Sequence, residues 1–227
     1  MSDAPDFPYH FRAAGGSGPA PVLVLLHGYG SSAGDMMGLA PWLDERFLVL
    51  APQGGRALPN GGWGWYPLGM GPVAPVLDVD ELEASRGGVL RWAAAAALAH
   101  GGDPARLFLV GFSQGAALAL AAALTEPERL TAVVAMSGRV LPEILPRAAA
   151  PARLRGLPVL LTHGADDEIV PAAQGRAARD MLRGWGARVE HREFAAGHTL
   201  PPACLDHVGA WLSARLDAPE TSASRAG

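Results

Sequence analysis

Short apolar runs alternate with longer segments of helical pattern along most of this chain. Five runs are apolar at nearly every position, which is typical of strands that are covered on both faces of a sheet. They are residues 22–26, 47–50, 107–110, 131–136 and 157–161. Residues 187–194 alternate more between apolar and charged side chains and suit a strand nearer an edge, and residues 9–12 suggest one further strand at the antiparallel end.

Helical patterns fill the gaps between these runs. We predict helices over residues 35–43, 79–99, 115–124, 171–185 and 202–216. Strands that alternate with helices indicate an α/β protein with a mostly parallel central sheet flanked by helices. No repeat or clear boundary interrupts the pattern, so we expect a single domain over residues 1–216 and a small, polar, disordered tail over residues 217–227.

Residues 53–77 break this rhythm with many glycines, prolines and aromatic residues. A connection of that length inside a domain is uncommon and often functional. The alternative is an irregular surface segment that is held by its own tryptophans. The pattern alone leaves both interpretations open.

The composition narrows the class of protein. Of the 227 residues, 49% are hydrophobic and 18% are charged, which indicates a globular chain. A formal net charge of −4 gives no electrostatic reason to expect a nucleic-acid partner. Cys204 is the one cysteine, which excludes an internal disulfide and a cysteine-based zinc site. No signal segment is visible and no apolar run is long enough to span a membrane, so we expect a cytoplasmic protein without stable membrane insertion.

The pentapeptide Gly-Phe-Ser-Gln-Gly at residues 111–115 carries the strongest chemical signal. It follows an apolar run and precedes a segment of alanine and leucine, so it places Ser113 at a tight turn between a strand and a helix, a nucleophile elbow. We expect glycine on both sides because a Cβ there would collide with the neighbouring strand or helix. The pentapeptide alone is weak evidence, since ten serines and 29 glycines give about 0.16 matches by chance. Its context therefore decides its meaning.

A serine hydroxyl needs a base, a group that orients the base, and donors for an oxyanion. His198 is the best candidate base, because it comes just after the last predicted strand, where such groups gather in an open α/β sheet. His27 and His163 also end strands, but we expect them to shape turns through hydrogen bonds. Asp167 is our choice of acid in the loop after the fifth apolar run. Asp166 is the alternative, and we expect it to cap the turn or face solvent.

The oxyanion donors are predicted at two turns. The amide of Gln114 follows the serine, and a glycine-rich turn at residues 27–30 follows the first apolar run. The glycines of that turn let the backbone bend inward, so the Tyr29 amide can point at an acyl oxygen and the Tyr29 ring can line a pocket. Simple turn chemistry is the alternative for this segment.

Together these residues resemble the phospholipase/carboxylesterase family of α/β-hydrolases, which includes bacterial carboxylesterases and acyl-protein thioesterases. The resemblance covers about residues 22–211. Ser113, Asp167 and His198 follow one another along the chain in the order of that fold. Pro67 departs from the family pattern, because an acid commonly follows the Trp-Tyr pair there. The motifs that carry the resemblance are the turn at 27–30, the pentapeptide at 111–115, the His-Gly-x-x-Asp-x-x-Val-Pro run at 163–171 and Gly197-His198.

The resemblance implies an α/β-hydrolase fold that transfers an acyl group to water without a cofactor or a metal. It assigns Ser113 as the nucleophile, His198 as the base and Asp167 as the orienting acid. Tyr29 and Gln114 would supply the two oxyanion amides.

The connection after the fourth apolar run is too short for the cap that hydrolases of this fold often carry, so we expect no cap domain and a fairly open site. Aromatic and methionine side chains suit an apolar acyl or aryl group. The walls of the site are predicted to come from Tyr29, Trp63, Trp65, Tyr66 and Met70.

The resulting expectation is a carboxylesterase that acts on a small-molecule ester with a small to medium acyl or aryl group. An acyl thioesterase, a lysophospholipase or a cofactor-free perhydrolase would use the same three residues. Ser113 argues against a dienelactone hydrolase, which would carry cysteine at the elbow. A non-catalytic binding module on this fold is the alternative from another class, although such a protein would commonly lack one of the three residues. The sequence leaves a homodimer open.

Overall fold

A seven-stranded sheet forms the centre of the computed structural model, which describes residues 6–59, 61–68 and 77–217. Two further short strands, the fourth and fifth along the chain, pair with each other outside this sheet. In chain order the strands are β1 (Tyr9–Arg12), β2 (Ala20–Leu26), β3 (Leu48–Pro52), β4 (Arg56–Ala57), β5 (Trp63–Gly64), β6 (Gly102–Phe112), β7 (Ala132–Met136), β8 (Pro158–Gly164) and β9 (Arg188–Phe194).

The strands of the large sheet lie in the order β1-β3-β2-β6-β7-β8-β9. Neighbouring strands are parallel except β1, which runs antiparallel to β3 at one edge. The chain adds β3 on one side of β2 and β6 on the other, so the strand order reverses at β2. Ligands of open α/β sheets bind at the carboxyl ends of strands near such a reversal. The predicted parallel sheet, its antiparallel end strand and the position of β9 at an edge are confirmed.

Helices cover both faces of this sheet. Alternate residues of β2 divide between the two faces, because successive side chains of a strand point to opposite sides. Val22 and Val24 pack in the core with α2, α3 and α4, whereas Leu23 and Leu25 pack with α1 and α5. This two-sided burial explains why the strands are apolar at nearly every position. The helices are α1 (Ala33–Met37), α2 (Val79–Ala99), α3 (Gln114–Thr125), α4 (Ala172–Gly184) and α5 (Pro202–Leu216).

The helix predicted over residues 35–43 is divided in the structure. The shorter α1 takes its place and is followed by a 3-10 helix at Ala40–Trp42. The Ser32 hydroxyl accepts a hydrogen bond from the Asp35 amide at 3.1 Å, so α1 begins earlier than predicted. Pro41 has no N–H to continue an α-helix, and it lies in the first turn of the 3-10 helix instead.

Two predicted strands are longer in the structure. β6 begins before the predicted residues 107–110, because residues 102–103 pair with the start of β2 beyond a register shift. β8 extends to Gly164, so His163 lies inside the strand rather than after it. Residues 137–157 between β7 and β8 contain two 3-10 helices, Pro142–Arg147 and Pro151–Leu154, and no cap domain.

None of the helices within the described ranges is long and apolar enough to cross a membrane. The single domain over residues 1–216 stays a prediction. Of the predicted tail, residues 218–227 lie outside the described residues.

Candidate active site

Ser113 lies at the turn between β6 and α3 with a φ of 54°, in the left-handed region that residues with side chains rarely adopt. Its amide donates a hydrogen bond to the Met136 carbonyl at 2.9 Å, which ties the turn to β7. A Cβ on Gly111 would lie 2.2 Å from the Gly115 carbonyl oxygen, and a Cβ on Gly115 would lie 2.1 Å from the Leu26 carbonyl oxygen. Both positions therefore require glycine, as predicted, and the predicted strand–turn–helix is confirmed.

His198 lies between Ser113 and Asp167. Its Nε2 is 2.9 Å from Ser113 Oγ, and its Nδ1 is 2.7 Å from Asp167 Oδ2. An ionised carboxylate only accepts hydrogen bonds, so Nδ1 carries the proton and Nε2 is the acceptor that faces the serine hydroxyl. The imidazole also packs against the Phe112 ring with their centroids 4.9 Å apart. The structure thus brings together the three side chains that the sequence predicted.

The Asp167 side chain is completely buried. Its other oxygen, Oδ1, accepts hydrogen bonds from the amides of Ile169 at 3.0 Å and Val170 at 2.8 Å. Burial works to raise the pKa of this carboxyl, but the hydrogen bonds from His198 and from these amides outweigh it and hold the pKa below its usual 3.8. Asp167 is therefore an anion that His198 and the backbone hold in one orientation.

Asp166, the alternative acid, is exposed, in agreement with its predicted place at the surface. Its amide donates to the Ala196 carbonyl at 3.0 Å, which ties the loop after β8 to the loop after β9. Because Asp167 rather than Asp166 contacts His198, the structure favours the first choice of acid.

His27, directly after β2, and His163, near the end of β8, both hold turns through hydrogen bonds, as predicted. His27 is fully buried, donates from Nδ1 to the Gly28 carbonyl at 2.7 Å and accepts the Gly54 amide hydrogen at Nε2 at 2.9 Å. Burial lowers the pKa of His27 and favours this neutral form. His163 donates from Nε2 to the Val170 carbonyl at 2.7 Å. Over the part of the chain that the structure describes, no group of three His, Cys, Asp or Glu side chains could hold a metal ion.

The two predicted oxyanion amides belong to residues that border the same cavity as Ser113. The glycine turn lies against the elbow, since a Cβ on Gly28 would be 3.4 Å from Ser113 Cβ. Among the described residues, neither the Tyr29 amide nor the Gln114 amide donates a hydrogen bond. Gln114 begins α3, where the first amides of a helix have no partner within the helix. Unpaired donors beside a serine are what an oxyanion hole requires.

A cavity of about 560 Å³ is bordered by Ser113 and His198, within the usual range of small-molecule sites. Tyr29 and Tyr66 line it, as predicted. Arg139 and Gln174 add polar side chains that the sequence analysis did not single out. The rest of the wall is mostly apolar and comes from Leu68, Ala117, Leu141, Ile169, Val170 and Pro171.

The prediction that Trp63 and Trp65 line the site is wrong, since neither borders this cavity. Trp65 is buried in the apolar core, and its indole N–H donates to the His27 carbonyl at 2.8 Å. Trp63 is held in a backbone pair with Ser31, whose carbonyl accepts the Trp63 amide hydrogen at 3.0 Å. Met70, the remaining predicted wall residue, lies outside the described residues.

Comparison with known proteins shows the family of the chain. A family model described as phospholipase/carboxylesterase matches residues 11–216, which is most of the chain. The chain belongs to the phospholipase/carboxylesterase family. The resemblance inferred from the sequence motifs is therefore confirmed, and the fold is the α/β-hydrolase fold of that family.

Individual relatives of this family give the same result. Carboxylesterase SOBER1 of Arabidopsis thaliana is 32% identical over 120 residues, which cover 52% of this chain and 53% of that protein. The chain thus spans about half the length of this relative. Acyl-protein thioesterase 1 of Kluyveromyces lactis is 32% identical over 186 residues, covering 75% of this chain and 80% of that protein. The crystal structure of esterase PE8 superposes with a TM-score of 0.81 at 29% identity and covers 92% of this chain and 98% of that one.

One residue of this family member has a role that the sequence analysis missed. The sequence predicts only the backbone amide of Gln114 as an oxyanion donor. Its side chain also joins the site to a loop that is far away along the chain. Its Oε1 accepts the Trp65 amide hydrogen at 2.9 Å, and its Nε2 donates to the Tyr66 carbonyl at 2.8 Å. No local pattern signals a pairing between residues so far apart along the chain.

Proposed function

We propose that this protein is a serine hydrolase that cleaves carboxylic esters of small to medium acyl or aryl groups. One observation carries the proposal: Ser113 Oγ, His198 Nε2, His198 Nδ1 and Asp167 Oδ2 form a continuous chain of hydrogen bonds of 2.9 and 2.7 Å beside an apolar cavity. Such a chain lets a neutral imidazole remove the hydroxyl proton while a carboxylate stabilises the resulting charge.

The proposed reaction begins when Ser113 Oγ attacks the ester carbonyl and its proton moves to His198 Nε2. The oxyanion accepts hydrogen bonds from the amides of Tyr29 and Gln114, which have no other partner in the described part of the chain. His198, held at Nδ1 by Asp167, then gives the proton to the leaving alcohol, and an acyl-serine remains. Water attacks this acyl-enzyme by the same steps in reverse and releases the carboxylic acid.

The cavity supports the proposed substrate size. A volume of about 560 Å³ accommodates a small to medium acyl or aryl group, and apolar side chains favour its burial. The short connection between β7 and β8 contains no cap domain that would cover the site.

An acyl thioesterase is the second candidate, because relatives of the chain include proteins named acyl-protein thioesterase 1. A lysophospholipase would also use the same three side chains. A thiolate leaves with less help from a general acid than an alkoxide does, so acylation by a thioester depends less on protonation of the leaving group. Matched ester and thioester substrates with the same acyl chain would rank the two activities. The cytoplasmic location and a homodimer stay predictions.

The proposal is tested with the purified chain and p-nitrophenyl butyrate. We expect turnover by the wild type and none above background in Ser113→Ala or His198→Ala. Ser17→Ala and His10→Ala are matched controls at exposed positions and should retain full activity. Full activity in Ser113→Ala would overturn the mechanism. A wild type that binds esters without turnover would favour the non-catalytic binding module instead.

A further inference from the structure

Arg139 is a cation at the edge of the cavity that holds Ser113, and it has no partner among the described residues. It is half-buried, and its side chain forms no ion pair or hydrogen bond with any described residue. Arg147, farther along the same connection, is paired with Asp80 at 2.8 Å. Of the described residues that border the cavity, Arg139 is the only Arg, Lys, Asp or Glu. Holding an unpaired guanidinium against an apolar wall costs free energy, which a bound anion would offset.

The fold places Arg139 beside the nucleophile. Phe112 at the end of β6 lies opposite Met136 at the end of β7, so the residues that follow the two strands are neighbours at the carboxyl edge of the sheet. A Cβ on Gly138 would lie 2.4 Å from Ala116 Cβ, so the backbone before Arg139 is pressed against the first turn of α3. A ligand held by the guanidinium would thus lie in the same cavity as the reacting serine.

The chain around the cavity offers little to neutralise this charge. Glu143 is the nearest acidic residue after Arg139 in the sequence, and the charges of both residues act on Tyr66. Glu143 is nevertheless exposed, does not border the cavity and forms no ion pair with Arg139. Residues 69–76, which follow the cavity residue Leu68 along the chain, contain no aspartate or glutamate. The counter-ion of Arg139 is therefore best supplied by a ligand.

We propose that the cavity takes an ester that carries a carboxylate, and that Arg139 is the specificity-determining residue that binds this carboxylate. The inference rests on the proposed function and names its substrate class: a half-ester of a dicarboxylic acid, or an ester whose alcohol carries a carboxylate. A guanidinium binds a carboxylate through two parallel N–H···O bonds. One cation matches one carboxylate charge, whereas a phosphate monoester would keep part of its charge unpaired.

Two pairs of chromogenic esters test the inference and distinguish the two positions of the charge. Mono-p-nitrophenyl glutarate is compared with p-nitrophenyl hexanoate, and p-acetoxybenzoate is compared with p-acetoxybenzamide. In at least one pair, the wild type should hydrolyse the anionic ester with a kcat/KM about 10- to 100-fold above that of its neutral partner. A wild type that prefers the neutral ester in both pairs, or shows no preference, would overturn the inference.

Three variants assign the preference to Arg139. Arg139→Gln should lower kcat/KM for the anionic ester by about 10- to 100-fold more than it lowers kcat/KM for the neutral ester. Arg139→Lys keeps the charge but loses the planar guanidinium, so its kcat/KM for the anionic ester should lie between those of the wild type and Arg139→Gln. Arg147→Gln is the same chemical change at a surface ion pair and should alter neither rate. Equal losses on both esters in Arg139→Gln would contradict the assignment.

A binding measurement separates this inference from the proposed function. If no ester is hydrolysed, the proposed function fails, but Arg139 can still be tested by calorimetric titration of Ser113→Ala with the glutarate half-ester. Adding Arg139→Gln to this variant should weaken binding by about 10- to 100-fold. Unchanged binding would overturn the role of Arg139 whatever the enzyme activity.

Discussion

Gln114 and Trp65 are joined across the site, because the side-chain oxygen of Gln114 accepts the Trp65 amide hydrogen at 2.9 Å. Gln114 begins α3 directly after the serine, whereas Trp65 lies in the loop that follows the β4–β5 hairpin. The same side chain donates to the Tyr66 carbonyl, and Tyr66 borders the cavity. One glutamine therefore connects the elbow to the wall of the site.

Replacing Gln114 with alanine should destabilise this connection while leaving the backbone amide in place. Gln114→Ala leaves the Trp65 amide and the Tyr66 carbonyl without these partners, so we expect the free energy of unfolding to fall by about 1–3 kcal/mol in urea denaturation. Gln114→Glu keeps the acceptor for Trp65 but places a buried carboxylate oxygen against the Tyr66 carbonyl, so it should be at least as destabilising as Gln114→Ala. Gln174→Ala, at an exposed position on the cavity border, is the control and should change stability little. Equal stability of both alanine variants would contradict the role of Gln114.

Asp167→Asn should reduce turnover far more than Asp166→Asn. The asparagine oxygen can still accept the amides of Ile169 and Val170, but its NH₂ group would then face His198 Nδ1. This donor favours the tautomer with the proton on Nε2, which cannot accept a proton from Ser113. We expect kcat for p-nitrophenyl butyrate to fall by about 10³- to 10⁴-fold in Asp167→Asn.

Asp166→Asn is the matched control for this change. Because Asp166 is exposed, its replacement should change kcat by less than about threefold. Similar small losses in the two variants would show that Asp167 is not the orienting acid.

Asp167 should also make the stability of the protein depend on pH. Its pKa in the folded protein lies below the usual 3.8, so the unfolded chain binds the proton more readily. The stabilisation from this carboxylate is therefore fully present above the unfolded pKa and is lost as the pH falls through the folded pKa. Between roughly pH 5 and pH 3, Asp167→Asn should lose less free energy of unfolding than the wild type, because an amide does not ionise.

Urea denaturation at several pH values measures this difference. Asp166→Asn serves as the control and should follow the wild type across the acid range. If the wild type and Asp167→Asn lost the same free energy of unfolding on acidification, the Asp167 carboxylate would not be a source of the pH dependence and the prediction would be wrong.

Helices with strong local end signals could be predicted from the sequence to the residue. The bounds of α2 agree with the prediction, because the Asp78 side chain accepts the amides of Asp80 and Glu81 and fixes its first turn. Proline in the first turn of α5 similarly sets its start. Buried strands were located by their apolar runs, but their ends were not, since pairing with neighbouring strands extends β6 and β8 beyond the apolar stretch.

The positions of Ser113, Asp167 and His198 could be predicted because each lies in a short turn directly after a strand. The walls of the cavity could not be predicted in the same way. Trp65 packs in the apolar core and its indole donates to the His27 carbonyl, and no local pattern contains these contacts. Arg139 also follows a strand, but only the folded chain shows that it lacks a partner among the described residues.

The backbone at Ser113 predicts an unusual order of stability among its variants. With φ at 54° and ψ at −112°, any residue with a Cβ is strained there, whereas glycine adopts such angles readily. Both Ser113→Gly and Ser113→Ala should be inactive, but Ser113→Gly should be the more stable by about 1 kcal/mol in thermal or urea unfolding.

Ser85, inside α2, provides the matched comparison with the opposite sign. Both replacements remove its hydrogen bond to the Trp65 carbonyl, and glycine in a helix interior is about 1 kcal/mol less favourable than alanine. Ser85→Gly should therefore be less stable than Ser85→Ala, the reverse of the order at Ser113. If Ser113→Gly were also less stable than Ser113→Ala, a Cβ would not be strained at φ 54° and the prediction would be wrong.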